Sequence, residues 1–438
     1  MRILDHVSYM HIEKVISKVQ PEVIGFTAVS TNYSRIKDLA KKIRKASPSS
    51  ILILRGVHIT TSPNLFKNSP FDIGVRGEGE ITLLRLLENI KKNKGIKINE
   101  LKKIKGLMLR DAKQIIDNGV SERIENLDEF PLPAYDLLNM KYYQLPSLLS
   151  NGDPVSFILT SRGCPYSCKF CSSTCFWGSR VKFYSAERVV REIELIHRVY
   201  GFKIISFGDD IFSLDKNLVE KIIKILMEKR LLGKIKFMCS VRANLFDEER
   251  AKLLKKLGVT IISFGFESGS DKVLKYLKGE NVSVEINRRA IELCKKHGIL
   301  ATGTFMIGSP YESLEEMEKT FRFIKNNLTD STTFQTKPLP ATKIWDYAIK
   351  NKIITEDYFE VERKEFFEIE PNILLTNKVD KKDFNEMYQK IKSLYIPNKR
   401  INLYKNIFSI KFISILFNPM FLKKAYSLRC RFIGRIKN

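Results

Sequence analysis

Residues 160–173 read TSRGCPYSCKFCSS and set Cys164, Cys168 and Cys171 in C-x3-C-x2-C spacing, in a loop that also holds Gly163 and Pro165. The apolar run at 155–159 leads straight into this loop, so the thiols stand at the C-terminal end of a predicted strand. An irregular loop lets three thiolates converge on one centre, which a regular strand or helix with this spacing would not do. Thiolates are soft ligands that both iron–sulfur clusters and zinc accept. Three ligands leave one iron of a cubane open to a further group, whereas a zinc site would need Cys175 as its fourth ligand.

Working outward, KIISFGDD, KFMCSVR, TIISFGFE, LATGTFMIG and TTFQTKPL are five more strand candidates, with helical periodicity between them at 186–200, 216–231, 247–257, 284–297 and 313–326. Six βα units over 151–345 predict a partial (β/α)6 TIM barrel whose active site lies at the C-terminal strand ends. Upstream, residues 1–100 alternate short apolar runs with charged helical stretches, the pattern of an open parallel α/β sheet. Residues 101–150 are read as a hairpin, IKGLMLRDAKQIID, followed by the proline-containing linker NLDEFPLPAYDLL. Residues 346–438 form a helical, basic C-terminal region, and the whole chain is of α/β class.

With Phe170 at the aromatic position, the cysteine segment resembles the radical S-adenosylmethionine (SAM) superfamily, whose signature is C-x3-C-x-aromatic-C. The resemblance implies a [4Fe–4S] cluster on Cys164, Cys168 and Cys171, with the open iron chelating the amino and carboxylate groups of SAM. One electron then cleaves SAM to methionine and a 5′-deoxyadenosyl radical. It further implies that Phe170 helps position SAM, that Asp209 and Asp210 face the methionine amino group, and that Arg242 pairs with its carboxylate. Glu267 resembles the acidic residue on the ribose, and Gly308 the glycine that lets adenine approach the backbone.

The segments PEVIGFTAVS, ILILRGVHIT and FDIGVRGEGE resemble the subgroup with an N-terminal cobalamin-binding domain, with Gly56, His58, Gly77 and Glu78 on its recurring elements. That subgroup implies methylation or ring and carbon–carbon bond formation on a lipid-like, tetrapyrrole or other secondary-metabolite substrate, with a reductant such as ferredoxin or flavodoxin. Three departures leave cobalamin binding open. The chain starts at what resembles the family's second strand, RILD; Arg55 replaces a glycine; and no D-x-H-x-x-G element supplies an axial histidine. His58 reads equally as a capping or core histidine or as a cofactor contact.

The net charge of +26 over 438 residues invites a nucleic-acid partner, but from Met387 to Asn438 the charges are all Lys or Arg, with no Asp or Glu. Nucleic acid is therefore not the expected partner. The rival radical reaction, tRNA methylthiolation, goes with extra N-terminal cysteines, and residues 1–163 contain none. A non-catalytic scaffold descendant is the rival from another class. Residues 401–438 interleave Ile, Leu, Phe and Tyr with basic residues, which fits either an amphipathic segment on an anionic membrane surface or a helix packed on the barrel. Seven cysteines, three of them within eight residues, and a charged N-terminus without an apolar h-region predict a cytoplasmic protein, peripheral at the membrane if the tail binds lipid.

Overall fold

The structure, a computed structural model, describes residues 12–112, 114–140, 143–144, 153–360, 369–370 and 372–394. The start RILD and the basic segment 401–438 lie outside the described residues.

The N-terminal sheet runs in the order β1 (Val23–Thr27), β2 (Ile51–Arg55), β3 (Ile73–Val75), β4 (Leu107–Asp111), β5 (Gln114–Asp117). β1 to β3 are parallel, and β4 and β5 are antiparallel. β2 reads as an unbroken apolar run because both of its faces are covered. Leu52 and Leu54 join Phe26, Tyr33 and Ile59 on one side, while Ile53 joins Ile73, Leu86 and Leu107 on the other. One expectation is corrected here. The hairpin assigned to a connecting segment beginning at residue 101 extends this sheet, because Leu107 and Leu109 are fully buried against β3. The sheet is consequently mixed and not purely parallel.

All six barrel strands form: β6 (Val155–Ile158), β9 (Ile204–Phe207), β10 (Lys236–Val241), β11 (Val259–Glu267), β12 (Leu300–Ile307) and β13 (Ser331–Gln335). They pair in chain order, all parallel, and do not close into a ring. A two-stranded ribbon, β7 (Ser161–Arg162) and β8 (Lys182–Phe183), brackets the cysteine loop. The covering helices start on side-chain caps: Ser185, Asp215, Asp247 and Ser283 each accept from first-turn amides, and Ser313 with Glu316 forms a capping box. Their apolar stripes bury Val190, Ile193, Ile222 and Leu254 against Ile205, Ile262 and Phe305. The concave face instead carries Ser240, Ser263 and Thr302 across one rung, lining a cavity of about 170 Å³. No helix among the described residues is long and apolar enough to cross a membrane.

Candidate functional site

The cysteine loop leaves β7 and is pinned across the barrel top by its own backbone. Lys169 N donates to Leu277 O (2.8 Å), and Ile344 N donates to Lys169 O (3.1 Å). Phe170 packs beside these bonds with Met306, against Val273, Leu277 and Ile344, and so anchors the loop to the barrel. The three thiols lie within electrostatic reach of one another. Burial pushes the Cys164 thiol up and the Cys171 thiol up to about 11, opposed by amides of Tyr166 and Ser173 and reinforced by the Asp210 carboxylate. Among the described residues no three Cys, His, Asp or Glu side chains close on a single ion. A cubane takes one thiolate per iron and requires no such closure.

Arg242, at the end of β10, stands over this loop. It donates to Cys168 Sγ (3.2 Å), Asn244 Oδ1 (2.9 Å) and Lys278 O (3.3 Å), and its guanidinium lies 3.9 Å from the Tyr166 ring centroid. Glu267 ends β11 with φ 62°, a left-handed conformation uncommon for a residue with a side chain. The β11–β12 register shifts between Gly265 and Glu267, and the carboxylate folds back over Gly265, into space that a Cβ there would fill. Lys278 Nζ sits 3.5 Å from Glu267 Oε1 and donates to Gly265 O. Burial raises the Glu267 pKa, and Lys278 and Arg242 oppose the rise; burial likewise lowers that of Lys278. Lys278 is the site residue that sequence reasoning missed. A lysine in the last turn of a helix, just before Gly279, reads as a partner for the helix dipole.

Several expected positions serve other ends. Asp209 is buried, and its Oδ1 accepts from Thr160 N (3.1 Å), Thr160 Oγ1 (2.8 Å) and Ser161 Oγ (2.5 Å), so it holds the strand leading into the loop. Asp210 is the open carboxylate, bonded to Ser173 Oγ and facing the thiols. Gly308, with φ 81°, faces Phe384 of the helix Lys381–Ser393, where a Cβ would come within 2.9 Å of the ring, so its small size is already required by that packing.

Next to it Glu312 is fully buried, accepts from Ser309 N (2.9 Å) and has its pKa raised from 4.5 to about 8, chiefly by burial and slightly by Glu316. An unfolded glutamate loses its proton near the lower value, so the folded state is the better proton binder across this window. Stability should fall as pH rises from 4.5 to about 8. Glu312→Gln should flatten that slope, by about 4–5 kcal/mol over the whole window at ~1.4 kcal/mol per pH unit. Urea denaturation of both proteins across the window checks this, and parallel curves would contradict it.

In the N-terminal unit the four expected cofactor positions have internal partners. Gly56 passes so close to Ala28 that a Cβ would lie 2.6 Å from its carbonyl oxygen. Gly77 packs on Ser121 and donates to Thr60 Oγ1 (2.9 Å). Glu78 is buried in ion pairs with Arg162 (2.9 Å) and Arg123 (3.5 Å). His58 is buried, stacked on Tyr33 at 3.8 Å, with Nδ1 at Ser30 Oγ (3.1 Å), and burial drives its pKa down to about 3. The ring is buried, and its Nε2 has no hydrogen-bond partner among the described residues. Exposed Val29 and Arg55 are what the unit presents at the C-terminal ends of β1 and β2. A strand-end edge carrying a guanidinium donor could hold a group rimmed with carboxamide acceptors.

Comparison with known proteins agrees with both halves. Residues 158–324 match the Radical SAM superfamily and residues 5–87 match the B12 binding domain. An uncharacterised methyltransferase of Pyrococcus horikoshii is 34% identical over 80% of this chain and 74% of its own. The anaerobic magnesium-protoporphyrin IX monomethyl ester cyclase of Cereibacter sphaeroides is 26% identical over 73% of this chain, a match spanning 51% of that enzyme. The methyltransferase TsrM of Kitasatospora setae, solved with cobalamin and a [4Fe–4S] cluster, superposes with TM-score 0.63 at 18% identity, covering 77% of this chain and 67% of its own. The chain belongs to the radical SAM superfamily and carries a B12-binding domain. The radical SAM domain implies a [4Fe–4S] cluster and SAM as cofactors, and the B12-binding domain implies cobalamin.

Proposed function

We propose that this protein is a cobalamin-dependent radical SAM enzyme that methylates, or closes a ring or carbon–carbon bond on, a small organic substrate of lipid-like, tetrapyrrole or other secondary-metabolite type. When bound, the cluster would supply the electron for reductive cleavage of SAM, and cobalamin would supply methyl-group and one-electron chemistry. Cys164, Cys168 and Cys171 hold the cluster. Arg242 pairs with the SAM carboxylate while its other N–H group stays on Cys168, and Asp210 accepts from the amino group. Glu267 accepts from the ribose, and Lys278 stands beside that buried carboxylate and opposes the rise in its pKa. Asp209 and Phe170 hold the loop on which the cysteines sit. Ferredoxin or flavodoxin is the reductant class. The lipid-like substrate rests on the resemblance of the N-terminal segments to the cobalamin-binding subgroup, and the anionic membrane contact on the sequence of residues 401–438 alone.

The observation that carries this reading is the meeting of three cysteines, Arg242 and the Glu267–Lys278 pair at the C-terminal ends of β6, β10 and β11. The test is anaerobic reconstitution with iron, sulfide and cobalamin, followed by reduction in the presence of SAM. 5′-Deoxyadenosine and methionine should appear. S-adenosylhomocysteine formed alongside them would mark methyl transfer from SAM. No SAM cleavage by an iron-loaded, reduced protein would overturn the proposal.

A further inference from the structure

The cysteine loop is an excursion from the barrel closed at its base by the β7–β8 ribbon, and both ends of that base are gripped from the N-terminal unit. At the entry, two residues before Cys164, Arg162 sends one arm to Glu78 Oε2 (2.9 Å) and the other to Glu80 Oε1 (3.0 Å) and Tyr184 Oη (3.1 Å), with the Trp177 ring 5.4 Å from the guanidinium. At the exit, Glu78 Oε1 accepts from Ile124 N (3.4 Å), whose carbonyl accepts from Lys182 Nζ of β8 (2.6 Å). Arg123, also paired with Glu78, donates to Arg180 O (2.9 Å). Glu78 is 3% exposed and Arg162 10%, so this is a desolvated pair and not a surface contact.

The connection closes on itself. The residue before Glu78, Gly77, donates to Thr60 of the helix Val57–Thr61. That helix packs against Ser173–Trp177, the helix that follows Cys171. The chain of contacts thus runs from Val57–Thr61 through Gly77, Glu78 and Arg162 to the cysteine loop, and returns through Ser173–Trp177. Neither unit can move at this junction without changing the other, because a buried pair with one partner displaced leaves an uncompensated charge.

We propose that Glu78 is a positioning residue that fixes the cysteine loop, through Arg162, against the N-terminal unit, so that the state of that unit is read at the cluster. This rests on the assignment of Cys164, Cys168 and Cys171 as cluster ligands. Glu78 touches neither cluster nor SAM. Its substitution should therefore leave SAM binding intact and change the orientation of the loop, which costs turnover more than affinity.

The experiment compares the full-length wild type with Glu78→Gln, Glu78→Asp and Arg162→Lys, all anaerobically reconstituted. Iron content, the electron paramagnetic resonance spectrum of the reduced cluster with and without cobalamin already reduced to the diamagnetic Co(I) state by the same excess of reductant, and kcat and KM for SAM cleavage are measured. The wild-type spectrum should change on cobalamin addition. In Glu78→Gln and Arg162→Lys that response should be lost and kcat should fall roughly ten- to hundredfold with KM for SAM within about twofold. Glu78→Asp, which keeps the charge, should recover part of both. Wild-type spectra and rates in both Glu78→Gln and Arg162→Lys overturn the proposal, as does a cobalamin response that survives in them. Should Glu78→Gln fail to fold, Arg162→Lys decides alone, since it keeps a cation at the site and loses only the forked geometry. Absence of iron from the wild type itself would instead overturn the ligand assignment.

Discussion

Replacing any one of Cys164, Cys168 or Cys171 by alanine should abolish cluster assembly, whereas Cys175→Ala should retain it. The wild type should take up about four irons per chain on anaerobic reconstitution. Each of the three thiols stands within electrostatic reach of the others and carries a share of the site that no neighbour can replace, since two thiolates do not retain a cubane with an already open iron. Cys175 lies one turn further on, in the helix Ser173–Trp177, is exposed, and directs Sγ to Ala341 O at 2.9 Å, away from the loop. Iron and sulfide analysis of the four variants checks the assignment. Stoichiometric zinc with no iron in the wild type would refute it, and loss of iron in Cys175→Ala would make that residue a ligand.

The second large effect concerns SAM affinity. Glu267→Ala and Lys278→Met should each weaken SAM binding by about tenfold or more, at least ~1.4 kcal/mol, with iron content retained. The two belong together because Glu267 is buried at the end of β11 with Lys278 beside it. Burial raises its pKa, and taking away Lys278 removes an opposing charge and raises it further, which favours the protonated form over the anionic acceptor that a ribose hydroxyl needs. Breaking a desolvated pair also costs about 3–5 kcal/mol of stability, so thermal unfolding is read in parallel. Equilibrium dialysis of SAM against the reconstituted proteins gives the affinities. Unchanged affinity in both variants contradicts the role, and iron loss in Glu267→Ala would move that residue into the cluster's own shell.

Lys278 and Glu78 show where reading along the chain stops short. Lys278 ends a helix whose preceding residues Val273, Leu274 and Leu277 are buried, and in that setting a terminal lysine has an ordinary explanation. Only the fold of β11, with Glu267 turned back over Gly265, brings its ammonium to a buried carboxylate. In the sequence Glu78 stands in RGEGE, among the elements that resemble a cobalamin-binding domain. The structure gives its carboxylate to Arg162, 84 positions along the chain, a pairing with no periodicity or spacing to announce it. Asp209 and Asp210 are adjacent letters, yet one is sealed by Thr160 and Ser161 and the other faces the thiols, because successive residues leaving a strand point to opposite sides.

By itself the sequence determined what local physics encodes: the loop with three thiols at 164, 168 and 171, the six apolar strand segments of the barrel with helical periodicity between them, and the short apolar run that becomes β2. Each depends on residues within a few positions of one another, so periodicity and spacing suffice to read it. Tertiary structure alone decided the pairings between distant segments: the hairpin's place in the N-terminal sheet, Phe384 filling the space that Gly308 leaves, Lys278 on Glu267, and Glu78 on Arg162. A buried charge must find its counter-charge wherever the fold brings one within reach, and that position is a property of the packed chain.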